Sequence, residues 1–404
     1  MDHAQFAGLA AWITESGLAG RSETEILAGF CDRAIAVGLP LARAIVLIDT
    51  LHPVYEGRAF RWTRDEKETT LTAYGRTNED LRRWERSPFS KLEDSNESVL
   101  RRRLAIGGQD EFSIFPELIS QGMTDYVAMV NRFAGDEVIG RMDSVYSSWA
   151  TDSRSGFKDD DLDDLRRFAP FIALAIKSAS LARIAVTLVE TYLGHDAGRR
   201  VLQGRIHRGV ADQIEAVLWF SDLRSYTRIA DTAVPEEIIP FLNDYCDVVI
   251  SAIYKRGGDV LKLIGDGVLA IFNFPDRAGA CEAALASAVA AHRGVSAVNQ
   301  RRAEVKKPIT EMYLALHVGE VFYGNIGAKD RLDFTVIGPA VNEVSRIAAM
   351  CRSVDQPLLV SAPFAEALGA ARDGLVSVGR YALRGVGHPQ ELFTLESFDR
   401  GWVD

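Results

Sequence analysis

Apolar residues recur at helical spacing between Glu23 and Val37, at Ile26, Leu27, Phe30, Ala34 and Val37, and Gly38-Leu39-Pro40 ends the run. The spacing predicts a helix followed by a break. Ala44–Asp49 is a short aliphatic run, His52-Pro53 reads as a turn, and Gly57–Thr63 alternates as a strand does. The charge-rich stretch Asp80–Arg103 is helix-prone, and Asp125–Phe133 and Gly140–Ala150 are strand-like, which together make an α+β domain.

Asp159-Asp160-Asp161 then opens a long helical pattern, because carboxylates at a helix N-terminus complement its free N–H groups and dipole. Leu162, Leu165, Phe168, Phe171, Ile172, Ala175 and Ile176 supply the apolar stripe, which resumes over Leu181–Leu193 and stops at Gly194. A helix of this length exceeds the need of one small domain. Periodicity leaves two readings open, packing against a copy of itself or a plain terminal helix on its own core. The basic, glycine-punctuated segment Arg199–Gly209 reads as a joint between domains.

The texture changes from Ala211. Val217-Leu218-Trp219-Phe220 is a buried-strand run ending at Asp222, Pro235–Tyr254 is an amphipathic helix, and Gly257-Gly258 is a turn. Val260–Ile264 and Val268–Phe274 form two strands around Gly265-Asp266-Gly267. Helix Ala278–Gln300, strand Met312–Val318, a hairpin over Gly319–Phe334, helix Ala340–Cys351 and a strand-rich tail to Leu395 complete an α/β domain.

Composition narrows the function classes. With 404 residues the chain has room for two or three domains, and 47% hydrophobic with 25% charged residues is ordinary globular composition. A net charge of −10 argues against a nucleic-acid partner, which would require a basic face. Cys31, Cys246, Cys281 and Cys351 lack the paired short spacing of a zinc site or disulfide framework and read as free thiols in a reducing compartment. The apolar patch Phe6–Ile13 has no basic region before it and makes a poor signal peptide. Phe168–Ile176 is far shorter than the roughly 20 residues that span a bilayer. The expectation is a cytoplasmic protein with no membrane partner.

Two carboxylates stand where chemistry would need them. Asp222 sits where an apolar strand ends and Asp266 at the tip of a tight hairpin, both exposed by that placement. Two such groups suit Mg²⁺, which prefers one or two carboxylates plus substrate phosphates, though turn aspartates of no function would look the same. Asn342 and Arg346 are four apart in a helical segment and share a face.

The stretches Trp219–Leu223, Gly257–Gly267 and Phe334–Arg346 resemble the class III nucleotide cyclase catalytic domain, over roughly residues 211–395 and in the family's order and spacing. The resemblance implies a ferredoxin-like α/β fold and conversion of ATP to 3′,5′-cyclic AMP and pyrophosphate. It makes Asp222, Leu223 and Asp266 the metal-binding positions, for two Mg²⁺ (or Mn²⁺) per site. Lys262 and Thr335 become the pair that selects adenine, Asn342 orients the ribose and Arg346 braces the α-phosphate. A chain carrying both sets implies a head-to-tail homodimer with two shared sites. Arg384 in Leu383-Arg384-Gly385 is the candidate for the triphosphate, against a plain surface arginine.

After Gly338 the chain carries Pro339-Ala340 where the family commonly has a polar pair, which implies an altered helix cap with activity retained. Gly257-Gly258-Asp259 matches a diguanylate cyclase signature only weakly, because Val260-Leu261 follows. His292, His317 and Cys351 read as structural. Residues 20–180 resemble a GAF-type sensor in which Trp62, Trp84, Tyr126 and Trp149 line a small-molecule pocket or belong to the core. The domain reading is therefore an N-terminal helix over 1–20, a GAF-like α+β domain over 21–180, a helical linker over 181–210 and the catalytic domain over 211–396. A guanylate cyclase and an inactive nucleotide-binding module are the competing functions.

Overall fold

The computed structural model describes residues 1–66, 69–75, 77–104, 111–133, 139–140 and 142–397. The chain divides into two compact units, Met1–Leu188 and Val189–Asp404.

In the first unit α1 (His3–Leu18) and α2 (Glu23–Ala36) precede β1 (Arg43–Asp49), β2 (Gly57–Thr63) and β3 (Thr70–Tyr74). Then come α3 (Asn78–Glu85), α4 (Pro88–Ser95), β4 (Val99–Arg103), α5 (Phe115–Ser120), β5 (Asp125–Arg132), β6 (Ser144–Thr151) and α6 (Asp159–Leu193). Ser22 and Glu25 close a reciprocal capping box that starts α2. The strands form one sheet in the order β3-β2-β1-β6-β5-β4, with every neighbouring pair antiparallel. The expected helical character of Asp80–Arg103 is corrected at its end, where Val99–Arg103 is a strand pairing with β5. Arg141, inside the strand expected over Gly140–Ala150, lies outside the described residues.

Strand alternation gives this sheet two apolar faces. Val46, Phe60, Trp62, Val127 and Trp149 pack with residues of α1, α2 and α6, while Tyr126, Ala128, Val130 and Tyr146 pack with residues of α4 and α5 and with Trp84 of α3. Of the two readings for the four aromatics, the core one holds: Trp62 and Trp149 pack on one face, Trp84 and Tyr126 on the other. Fully buried Phe30, Trp149 and Phe168 each contribute roughly 1.5–3 kcal/mol of burial free energy. Glu23 is also buried, and its carboxylate accepts hydrogen bonds from Arg58 (3.0 Å), Ser180 (3.1 Å) and Arg183 (2.9 Å). Burial pushes its pKa up, but the Arg183 bond and its other partners outweigh that and hold it below the usual range.

Lys177, Ser178, Ser180 and Arg183 interrupt the apolar run of α6 without ending the helix. It therefore carries a stretch of mean hydropathy 1.8, with the length and composition of a membrane span, contrary to the expectation from Phe168–Ile176 alone. A third of that stretch is buried.

The second unit continues with α7 (His195–Leu202), β7 (Ala211–Leu223), α8 (Tyr226–Thr232), α9 (Pro235–Tyr254), β8 (Asp259–Ile264), β9 (Gly267–Phe272) and α10 (Arg277–Glu304). It closes with β10 (Met312–Ala328), β11 (Arg331–Ile337), α11 (Pro339–Val354), β12 (Leu358–Ser361), α12 (Ala362–Ala367), β13 (Leu375–Tyr381) and β14 (Gln390–Leu395). The sheet runs β13-β14-β12-β10-β7-β9-β8, and β11 pairs with β10. Only β10 and β12 are parallel among these pairs, so the unit is a mixed α/β fold. Residues of α9, α10 and α12 cover one face and those of α7 and α11 the other.

One expectation changes here. The strand does not stop at Val318: β10 runs on to Ala328, because Gly319 continues the ladder opposite Ala216, and it forms the expected hairpin with β11. The basic segment expected as a joint is anchored, since Arg200 and Arg205 both donate to Asp212, at 2.8 and 2.6 Å. The turn before α7 depends on Gly194, whose φ of +86° is left-handed and whose missing Cβ would lie 2.5 Å from the Val260 carbonyl oxygen. Asp259, at the start of β8, accepts from the His195 and Asp196 N–H groups at 2.9 and 3.1 Å and so caps α7.

Candidate active site

Asp222 stands near the end of β7, after the buried run Ala216–Trp219 and beyond half-buried Phe220. Asp266 reaches it through the β8–β9 turn, which uses a left-handed Gly265 (φ +63°). Gly267 permits the close return, since a Cβ there would stand 3.0 Å from the Ser221 carbonyl oxygen. The Asp266 carboxylate accepts a 3.0 Å hydrogen bond from the Leu223 N–H, which ties the two loops together.

Neither carboxylate is as exposed as its turn position suggests. Tyr245, Cys246 and Val249 of α9, with Met312 of β10, wall a small cavity around Asp222 and Asp266. Burial, then the charge of Asp266, pushes Asp222 up to about 6, partly countered by Arg352. Its Oδ1 atom is buried and accepts no hydrogen bond. A buried carboxylate oxygen without a donor, beside a second carboxylate, is what a hard cation would satisfy. Among the described residues no cluster of three or more His, Cys, Asp or Glu is placed to hold a metal. Two carboxylates and a backbone carbonyl, with substrate phosphates, form the donor set that Mg²⁺ accepts.

A second group forms on β8 and β11. Lys262 is half-buried and its ammonium pairs with the carboxylate of Asp333. Thr335 is two residues further along β11, so it shares a face with Asp333. Asp333 has no place in the sequence expectation. The signal that could have found it is that i, i+2 spacing from Thr335.

Asn342 and Arg346 project from one exposed side of α11, and among the described residues neither side chain has a hydrogen-bond or ion-pair partner. Helix α11 starts at Pro339 with no side-chain cap, after Gly338 at φ +146°. Arg384 is exposed in the loop between β13 and β14 and makes no described contact with the other candidates. No hydrogen bond or ion pair among the described residues joins the two aspartates to Lys262, Thr335, Asn342 or Arg346. Within one chain no such bond links the candidates into one site.

The remaining polar candidates are structural by their contacts. His317 is buried between Ser361 (Nδ1 to Oγ, 2.8 Å) and Glu343 (3.3 Å from Nε2). The Cys351 thiol donates to the Leu314 carbonyl at 3.4 Å, and burial pushes its pKa up to about 12.

Residues 210–397 match the family model of the adenylate and guanylate cyclase catalytic domain. The adenylate cyclase of Anabaena cylindrica is 32% identical over 160 residues, 39% of this chain and 31% of that protein. Adenylate cyclase 1 of Rhizobium meliloti is 28% identical over 183 residues, 45% of this chain and 27% of that protein. This chain thus spans about a third of the length of these curated relatives. The crystal structure of the adenylyl cyclase CyaB from P. aeruginosa aligns with 48% of this chain and 100% of its own, at 23% identity and a TM-score of 0.44. The C-terminal part of the chain, residues 210–397, is a class III adenylate/guanylate cyclase catalytic domain.

Proposed function

We propose that the protein is an adenylate cyclase that converts ATP into 3′,5′-cyclic AMP and pyrophosphate at two shared sites of a homodimer. The observation that carries this reading is the Asp222–Asp266 pair with its unsatisfied buried oxygen, in a domain of the cyclase family. Asp222, Asp266 and the Leu223 carbonyl would hold two Mg²⁺ or Mn²⁺. When bound, these ions lower the pKa of the ribose 3′-hydroxyl and offset charge on the departing pyrophosphate.

The chain's own residues do the rest. Lys262 donates to the adenine N1 edge and Thr335 accepts from the N6 amine. Asn342 orients the ribose, and Arg346 hydrogen-bonds the charge that builds on the α-phosphoryl oxygens as the O3′–Pα bond forms and the bond to pyrophosphate breaks. Arg384 is assigned to the triphosphate. The exposure of Asn342 and Arg346, whose side chains have no partner among the described residues, supports a site completed by a second copy.

One observation favours a second reading. The Asp333 carboxylate beside Lys262 is an acceptor that guanine could use. Incubating the protein with ATP or GTP and Mg²⁺ or Mn²⁺ decides between them: cyclic AMP from ATP is expected, cyclic GMP would favour the alternative, and neither product would leave a nucleotide-binding module.

The N-terminal unit is assigned as a GAF-like sensor that takes a small-molecule ligand and acts on the catalytic domain through α6. Its six-stranded antiparallel sheet between two sets of helices supports that assignment. The free cysteines and acidic composition support a cytoplasmic location.

A further inference from the structure

Helix α11 carries Asn342 and Arg346 into solvent, so something must fix its rotation and its height over the sheet. Its uncapped start supplies little: Gly338 precedes Pro339 and no side chain bonds the first turn. Its end is tied by the Cys351 thiol to the Leu314 carbonyl of β10. Near its start the tie is Glu343, next in sequence to Asn342 and three residues before Arg346, whose carboxylate lies 3.3 Å from His317 Nε2. The His317 side chain is 6% exposed and that of Glu343 18%, so water competes weakly for this contact.

The bonds beyond His317 make the contact directional. Ser361 Oγ stands 2.8 Å from His317 Nδ1 and also receives the Phe364 N–H at 3.4 Å. With the Phe364 N–H donating to Ser361, the Ser361 hydroxyl can donate to Nδ1. Both ring nitrogens are thereby engaged, Nδ1 by Ser361 and Nε2 by Glu343. A second observation places the helix at the same point: a Cβ on Gly319 would lie 2.8 Å from the Ala340 Cβ and 3.2 Å from His317 Nε2. The first turn of α11 rests directly on the His317–Gly319 segment.

We propose that His317 is a positioning residue that acts through Glu343 to set the phase of α11, and hence the aim of Asn342 and Arg346. It touches no substrate. This inference rests on the cyclase reading of the site, in which Arg346 meets charge that exists in the transition state. Misaim of that guanidinium should therefore appear in kcat and leave KM nearly unchanged.

The test compares the full-length wild type, Glu343→Ala, Glu343→Gln, His317→Gln and the Glu343→Ala/His317→Gln double variant. It measures kcat and KM for the nucleotide that the wild type cyclises, and Tm. Glu343→Ala is expected to lower kcat about tenfold to a hundredfold with KM within about twofold, the scale of a small misplacement of a catalytic group. Glu343→Gln keeps an acceptor for Nε2 and should recover most of that loss. The double variant should be no slower than the slower single, because both act through one contact. Single variants that lower Tm while kcat stays at the wild-type value, or a double variant whose losses multiply, would overturn the positioning role alone. A wild type that turns over neither ATP nor GTP would overturn the cyclase reading and this inference with it.

Discussion

The ammonium of Lys262 on β8 is paired with the carboxylate of Asp333 on β11, two residues before Thr335 on the same face of that strand. A lysine held in this way presents its remaining protons in a restricted direction, as the proposed reading of a base edge together with Thr335 would require. The pair is 41% and 36% exposed, so its worth is in aim and not in stability.

Asp333→Ala should therefore leave Tm close to that of the wild type and lower kcat/KM for ATP by about tenfold, the scale of one hydrogen bond to a charged group. The ratio of ATP to GTP turnover should fall as well. Steady-state kinetics with both nucleotides check this, and an unchanged ratio would remove Asp333 from base selection.

Asp49 of β1 accepts a 2.8 Å hydrogen bond from the Tyr74 hydroxyl, yet burial pushes its pKa up to about 6, with further upward push from Asp143 and Glu56. The folded state then binds this proton more tightly than the unfolded chain. The contribution of Asp49 to the stability of the N-terminal unit is fully present below the unfolded pKa of about 4 and is lost as pH rises through about 6. Asp49→Asn should abolish that dependence and raise stability at pH 7 by about 1–2 kcal/mol, discounted for partial exposure. Thermal unfolding of wild type and variant, followed across pH 4 to 8, measures the difference.

Gly194→Ala forces a side chain into a left-handed turn and against the Val260 carbonyl, and should cost about 1–3 kcal/mol. Asp259→Ala removes the cap of α7 and should cost about 1 kcal/mol. Both changes fall where the chain enters the catalytic unit, on the strand that bears Lys262. Turnover should fall further in each than in a surface variant such as Arg380→Ala, compared at 25 °C where all remain folded.

The long helices and the placement of the two aspartates at a strand end and a hairpin tip were legible in the sequence because local signals carry them: a 3.6-residue apolar period, the acidic start of α6, and polar residues that end a buried run. Strand β4 was not. In Val99–Arg103 Leu100 alone is buried while three arginines follow, and Arg101 is held by Asp125, 24 residues away. Asp333 was missed for the same reason, since its partner lies 71 residues distant in sequence. The half-burial of Asp222 was likewise invisible, because α9 closes over the end of β7 only in the folded unit.

The shared site is tested most directly by mixing two inactive variants. Asp266→Ala removes one carboxylate of the proposed metal site and Arg346→Ala the guanidinium proposed to brace the phosphate, and each alone should lose all measurable turnover. In a mixture with free subunit exchange half of the dimers carry one intact site of two, so activity should return to about a quarter of the wild-type value. No recovery, with exchange confirmed by differently labelled subunits, would contradict a site built from two chains.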